Sequence, residues 1–324
     1  MEAKLSVVRN PAAEKVIVSI GGNAIIKRNE KGTAEEQFEN VARACEAIGR
    51  LVKSGRSVII THGNGPIVGN IVIRNEAAKD RIPPMPLYIC DADSEGGIGF
   101  MIQQTLYNQL HKIHNIKDVV TIVTQVLVDR SDEAFSNPSK PLGPYYSEEE
   151  AGILRESKGW IIKKDSNRGY RRVVPSPKPR RIIEASVIRR LAESGVIVIA
   201  AGGGGVPVIE DEEGVLRGVE AVIDKDLAMA LLAKEVKAER FINLTQIDMV
   251  YANFGGPGQR PIHEMDVEEA QTYLENGEFA PGSMGPKIEA AIEFLSSGGK
   301  EVIITSPELI DLALDAKAGT RIYR

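Results

Sequence analysis

Within the first 66 residues, two short apolar runs stop at Gly/Asn turns and give way to helical patterns. The first is Val16-Ile17-Val18-Ser19-Ile20 into Gly21-Gly22-Asn23-Ala24, the second Val58-Ile59-Ile60-Thr61 into His62-Gly63-Asn64-Gly65-Pro66. An apolar run without alternation reads as a strand buried on both faces, as in a parallel sheet. Ligands of open α/β sheets sit at the carboxyl ends of such strands. Glycines there let backbone N–H groups approach an anion, and the following helix N-terminus adds favourable dipole charge. Two such loops predict a pocket for a small anion.

The rest of the chain supports this class. Helical patterns occupy Ala34–Lys53, Ile67–Lys79 and Gly97–His114, and Val119–Val128 reads as one further central strand. The rhythm breaks over 129–181, which holds six of the 17 prolines, the single tryptophan Trp160 and a basic run from Lys163 to Arg181. That composition predicts a small protruding subdomain or lid rather than a sheet-forming unit. Alternation resumes with a helix at Ile182–Glu193, a strand at Val196–Ala200, a helix at Lys225–Lys237 and a strand at Arg240–Leu244. Helices near Val267–Asn276 and Lys287–Ser297 and a strand at Val302–Thr305 complete it. The expected fold is a three-layer αβα sandwich with a central, mostly parallel open sheet.

Several functions are disfavoured at once. A net charge of −5 in 324 residues argues against nucleic acid as a partner, and the basic run reads as a solvated face. The N-terminal residues lack a signal-peptide core and no run of ~18 apolar residues occurs, so a cytoplasmic chain with no membrane role is expected. Cys45 and Cys90 lack metal-site spacing and read as buried thiols. The histidines make no zinc pattern, and no protein metal site is expected. Gly202-Gly203-Gly204-Gly205-Val206-Pro207 places proline where a dinucleotide fingerprint needs its third glycine, and no P-loop is present.

Three later segments point elsewhere: Val222-Ile223-Asp224-Lys225-Asp226, Leu244 to Tyr251, and Pro281-Gly282-Ser283-Met284-Gly285-Pro286-Lys287. Their spacing resembles the amino-acid kinase family. With Met85-Pro86-Leu87, Ser139-Lys140-Pro141-Leu142-Gly143-Pro144-Tyr145 and Tyr251-Ala252-Asn253-Phe254-Gly255, the chain is similar within it to the carbamate kinases from about Val16 onward.

The resemblance implies reversible phosphoryl transfer between ATP and carbamate, a role in arginine metabolism, and a homodimer. Lys287, opening a helix, would stabilise the transferring group; Asp224 would organise the active-site lysines; Lys225 would contact phosphate. Lys140, in a proline-stiffened loop of the protruding segment, would replace the lysine that many amino-acid kinases carry beside the first glycine loop. Gly21, Gly22, Asn23, Gly63, Asn64 and Gly65 would bind carbamate and the γ-phosphate. Gly202, Gly203, Thr245, Asp248, Tyr251 and Met284 would face ATP or ADP. Mg2+ would be held mainly by ATP oxygens. The resemblance also implies an acceptor-binding N-terminal lobe over 1–215, lid included, and a nucleotide lobe over 216–324. Another small carboxylate or phosphate acceptor, or a nucleotide-binding regulator without catalysis, are the alternatives. One segment departs from the family pattern: Cys90-Asp91-Ala92-Asp93-Ser94-Glu95 carries three acids where Gly, Met and Gln are usual. Extra negative charge near an anion site would weaken carbamate binding.

Overall fold

The computed structural model describes residues 13–27, 30–114, 117–165, 169–280 and 284–324, without the side chain of Asn23. In chain order come β1 (Lys15–Ile20), α1 (Gly22–Ile25), α2 (Ala34–Lys53), β2 (Ser57–His62), α3 (Gly65–Ala78) and α4 (Leu87–Lys112). Next are β3 (Val119–Ile122), β4 (Gln125–Val128), β5 (Lys140–Tyr146), α5 (Glu148–Lys158), β6 (Ile162–Lys164), β7 (Tyr170–Val174) and β8 (Pro179–Ile182). Then follow α6 (Ala185–Glu193), β9 (Ile197–Ala200), β10 (Val206–Glu210), β11 (Leu216–Gly218), α7 (Lys225–Glu235), β12 (Arg240–Leu244) and β13 (Val250–Ala252). The chain closes with β14 (Arg260–Ile262), β15 (Glu264–Asp266), α8 (Val267–Glu275), α9 (Met284–Ser296), β16 (Glu301–Thr305), α10 (Ile310–Leu314) and β17 (Thr320–Tyr323).

The main sheet runs β15-β17-β16-β12-β1-β2-β9-β3, parallel except where β17 meets β16. Side chains alternate between its faces. Ile17, Ile59 and Val198 face a core built with α6, α7 and α9. Val16, Val18, Ile60 and Ile199 face a second core under α2 and α4. Two apolar layers on one sheet make the three-layer sandwich, and they explain why β1 and β2 read as unbroken apolar runs. Strand order reverses at β1, which pairs with β2 on one side and β12 on the other. The crevice at such a switch point is where this architecture places ligands.

Four expected elements differ. The run 119–128 is two strands in two sheets: β3 joins β9, while β4 pairs with β8 and β10 in the four-stranded sheet β11-β10-β4-β8. The helix expected from Gly97 begins ten residues earlier, at Leu87, behind Pro86. The helix expected at Ile182 starts at Ala185 because Ile182 ends β8. The proline-rich segment does form a sheet, β5-β7-β6, with α5 beside it. Its prolines are tolerated because β5 is an edge strand, and its pairing with β7 is irregular beyond Leu142, where Gly143 takes φ 75°.

Candidate active site

Three glycine turns meet at the carboxyl ends of β1, β2 and β9. The Gly63 N–H donates to the Ile20 carbonyl and that of Gly21 to Leu244, so the first two turns are clamped onto neighbouring strands. A Cβ on Gly63 would lie 2.6 Å from the Gly22 nitrogen, so the two turns touch backbone to backbone. The third turn packs on the second: a Cβ on Gly203, whose φ is 68°, would lie 2.2 Å from the Asn64 amide. Gly65 opens α3, with Pro66 in its first turn.

The charged groups are organised around two aspartates. Asp224 caps α7, its Oδ1 accepting from the Asp226 N–H at 2.9 Å, while Oδ2 accepts from Lys140 Nζ at 2.6 Å. Asp226, in the first turn of α7, takes Lys225 Nζ at 2.8 Å on Oδ1 and Lys287 Nζ at 3.0 Å on Oδ2. Asn243 Nδ2 adds a third donor to Oδ1 at 3.2 Å. Lys225 also donates to Ser19 Oγ at 3.1 Å, and its chain lies 3.2 Å from where a Gly63 Cβ would be. These interactions bring Lys140, Asp224, Lys225, Lys287 and the first two glycine turns into one neighbourhood.

Exposure of 6% at the Asp226 side chain, against 17% for Lys225 and 13% for Lys287, makes this a nearly dry triad. Burial alone would raise the Asp226 pKa, but the two ammonium groups outweigh it and hold the carboxyl well below its ordinary range. Burial and the neighbouring Lys225 charge lower the Lys287 pKa, against the pull of Asp226. Asp226 is the residue sequence reasoning missed. In sequence it resembles any first-turn acid stabilising a helix dipole; only the fold places Asn243 and Lys287 against it.

Lys287 is the fourth residue of α9, which starts at Met284 rather than at Lys287. Pro286 fits there because first-turn N–H groups need no helical acceptor. The preceding Pro281-Gly282-Ser283 and the side chain of Asn23 lie outside the described residues. The expected nucleotide group is less united. Thr245 and Asp248 line a cavity of about 570 Å³ with Lys27, Arg43 and Ser306, and this cavity includes neither Gly202, Gly203, Tyr251 nor Met284. Tyr251 lies in the β13–β14 hairpin beside Phe254.

The acidic run falls on α4, beneath the glycine turns. Asp93 is exposed, whereas Asp91 and Glu95 are buried. Glu95 accepts from the Gly202 N–H at 2.8 Å on one oxygen and the Thr124 N–H at 3.0 Å on the other, tying the third turn to the β3–β4 junction. Burial pushes its pKa up to about 8, and Asp91 is likewise raised by burial. In both cases burial shifts the balance toward the uncharged form, which counters the repulsion expected from sequence. His62, fully buried beside them, is pushed down to about 4 and stays neutral.

Because the Glu95 pKa is higher in the folded than in the unfolded chain, its contribution to stability falls as pH rises from about 4.5 to about 8 and is flat above. Glu95→Gln should remove that slope, read as melting temperature from pH 5 to 9. It should also cost about 1–3 kcal/mol, because one amide NH2 would face a backbone N–H. An unchanged slope would contradict the assignment.

A model of the amino acid kinase family matches residues 14–306. The chain belongs to the amino acid kinase family. Its relatives narrow the likeness. A carbamate kinase of Pyrococcus horikoshii is 49% identical over 311 residues, covering 95% of this chain and 99% of its own length. A carbamate kinase-like protein, YahI of Escherichia coli, is 45% identical over 96% of this chain and 99% of its own. The structure of a carbamate kinase from Giardia lamblia bound to AMP-PNP matches with a TM-score of 0.90 at 43% identity, covering 96% of this chain and 99% of that one.

Proposed function

We propose that this chain is a carbamate kinase, reversibly transferring the γ-phosphoryl group of ATP to carbamate to give ADP and carbamoyl phosphate. The observation that carries the reading is the set of three lysines held by two aspartates beside two anion-type glycine turns. Full-length similarity to carbamate kinases supports it. Carbamate is an oxyanion already. Its oxygen attacks the γ-phosphorus, the bond to the β–γ bridging oxygen breaks, and ADP leaves without any proton transfer. No general base is required, and burial makes His62 a weak one, its pKa pushed down to about 4. The barrier is electrostatic, so preorganised cations and backbone N–H groups are the appropriate machinery.

In this reading Lys287, Lys225 and Lys140 neutralise charge on the transferring group, and Asp224 and Asp226 hold them in place. Gly21, Gly22, Asn23, Gly63, Asn64 and Gly65 bind the acceptor and γ-phosphate. Gly202, Gly203, Thr245, Asp248, Tyr251 and Met284 serve the nucleotide. Acceptor groups thus come from residues 1–215 and nucleotide groups mainly from 216–324, on one continuous sheet. Asp224 and Asp226 are engaged by ammonium groups. Mg2+ enters as the counterion of ATP, keeping most of its waters. ATP consumption should depend on added carbamate and not on acetate or glutamate; equal turnover with acetate would assign a different acceptor.

We also infer a cytoplasmic homodimer. Among the described residues no helix is long and apolar enough to cross a membrane. One face of α4 carries Ile89, Phe100 and Tyr107 at helical spacing, with Phe100 56% and Tyr107 50% exposed and Gly97 open between them. Phe100→Asp with Tyr107→Glu should halve the mass measured by light scattering; a wild-type monomer would refute the dimer.

A further inference from the structure

A second cavity, of about 310 Å³, lies away from the lysine cluster, where the subdomain sheet meets α3. Val72 and Ala77 of α3, Leu142 and Tyr146 of β5, Leu154 of α5 and Trp160 form its mainly apolar walls. Its volume is at the lower end of the range for small-molecule sites. Arg172, in the central strand β7, reaches into it with its guanidinium stacked 4.5 Å from the Trp160 ring. Among the described residues that guanidinium has no hydrogen-bond acceptor.

The nearby carboxylates are committed elsewhere. Glu76 takes the ammonium groups of both Lys79 and Lys158, and Glu220 accepts from the Leu87 N–H at 2.8 Å. A half-buried guanidinium offers five donors in a planar fork, and beside an apolar wall a ligand can take the place of the solvent that meets them. A carboxylate meets two of them at once, the strongest neutralising geometry available to arginine.

We propose that this cavity is a second ligand site, which takes a small carboxylate with an apolar body, the acid group on Arg172 and the body against Leu142, Leu154 and Trp160. The occupant would sit between α3 and β5. Lys140 is the first residue of β5, two positions from Leu142, so occupancy bears on the strand that delivers Lys140 to Asp224.

Trp160 is the only tryptophan in the chain and so reports on the cavity alone. Titrating the intact protein with octanoate, excited at the tryptophan edge, should give a saturable change in emission. Octanamide, the same shape without charge, should bind at least about tenfold more weakly, the loss expected for one charge-assisted hydrogen bond. Arg172→Met should abolish the preference for the acid. Ala77→Phe, which narrows the cavity from α3 and keeps the Arg172 guanidinium, should abolish binding of both and guards against a folding defect in the arginine variant. Equal affinity for acid and amide, no saturation, or wild-type octanoate binding by Ala77→Phe would each overturn the proposal.

Discussion

Lys287→Ala is expected to lower kcat by about 10³-fold, roughly 4 kcal/mol of lost transition-state stabilisation, while the chain stays folded. The ammonium group sits 3.0 Å from Asp226 Oδ2, 13% exposed, in a neighbourhood where water screens little. It is positioned before substrate arrives, so no reorganisation opposes its action at the moment charge shifts. Because charge on the transferring group develops along the reaction, the loss should fall on kcat more than on KM. Asp226 keeps Lys225 and Asn243 as partners in the variant, which limits the effect on stability. A kcat within tenfold of wild type would remove Lys287 from the account.

Asp226→Asn should be nearly as damaging to activity, by about 10²-fold or more, and should cost about 3–5 kcal/mol of stability in urea unfolding. The substitution preserves shape but leaves two ammonium groups near each other with their shared carboxylate gone. Lys287 already has a lowered pKa, from burial and from Lys225. Without Asp226 it should fall further, so the activity of the variant should decline at lower pH on the alkaline side than that of wild type. In the wild-type chain the Asp226 pKa is depressed. Its stabilising contribution is therefore present above the ordinary aspartate range and is lost as pH falls through its folded value. An alkaline limb unmoved by the substitution would show that Asp226 does not set the charge state of the lysines.

The parts of this molecule legible in its sequence are those where local and global preference agree. β1 and β2 are buried on both faces, so their apolar runs and terminal glycines announced a parallel sheet with an anion-type crevice. Lys140, Asp224, Lys225 and Lys287 were singled out by the resemblance to the carbamate kinases, and the fold brings all four together. What stayed hidden depends on partners distant in sequence. The run 119–128 is mostly apolar, and its division into two strands rests on Thr124, whose N–H is taken by Glu95 and whose hydroxyl accepts from the Ala201 N–H. The first turns of α4 were masked by acids and glycines that look like a loop until Asp91 and Glu95 are seen to be buried. Prolines disguised β5 as a coil because an edge strand with an irregular pairing accepts them. Asp226 carried no signal of its own; three contacts from β12, α7 and α9 make it the centre of the site.

The central claim is that this lysine–aspartate cluster moves a phosphoryl group between carbamate and ADP. Its most direct measurement is ATP formation from ADP and carbamoyl phosphate with Mg2+, wild-type protein beside Lys287→Ala. The account predicts rapid ATP formation by the wild type and about 10³-fold slower formation by the variant. No ATP from the wild type, or equal rates from both, would contradict it.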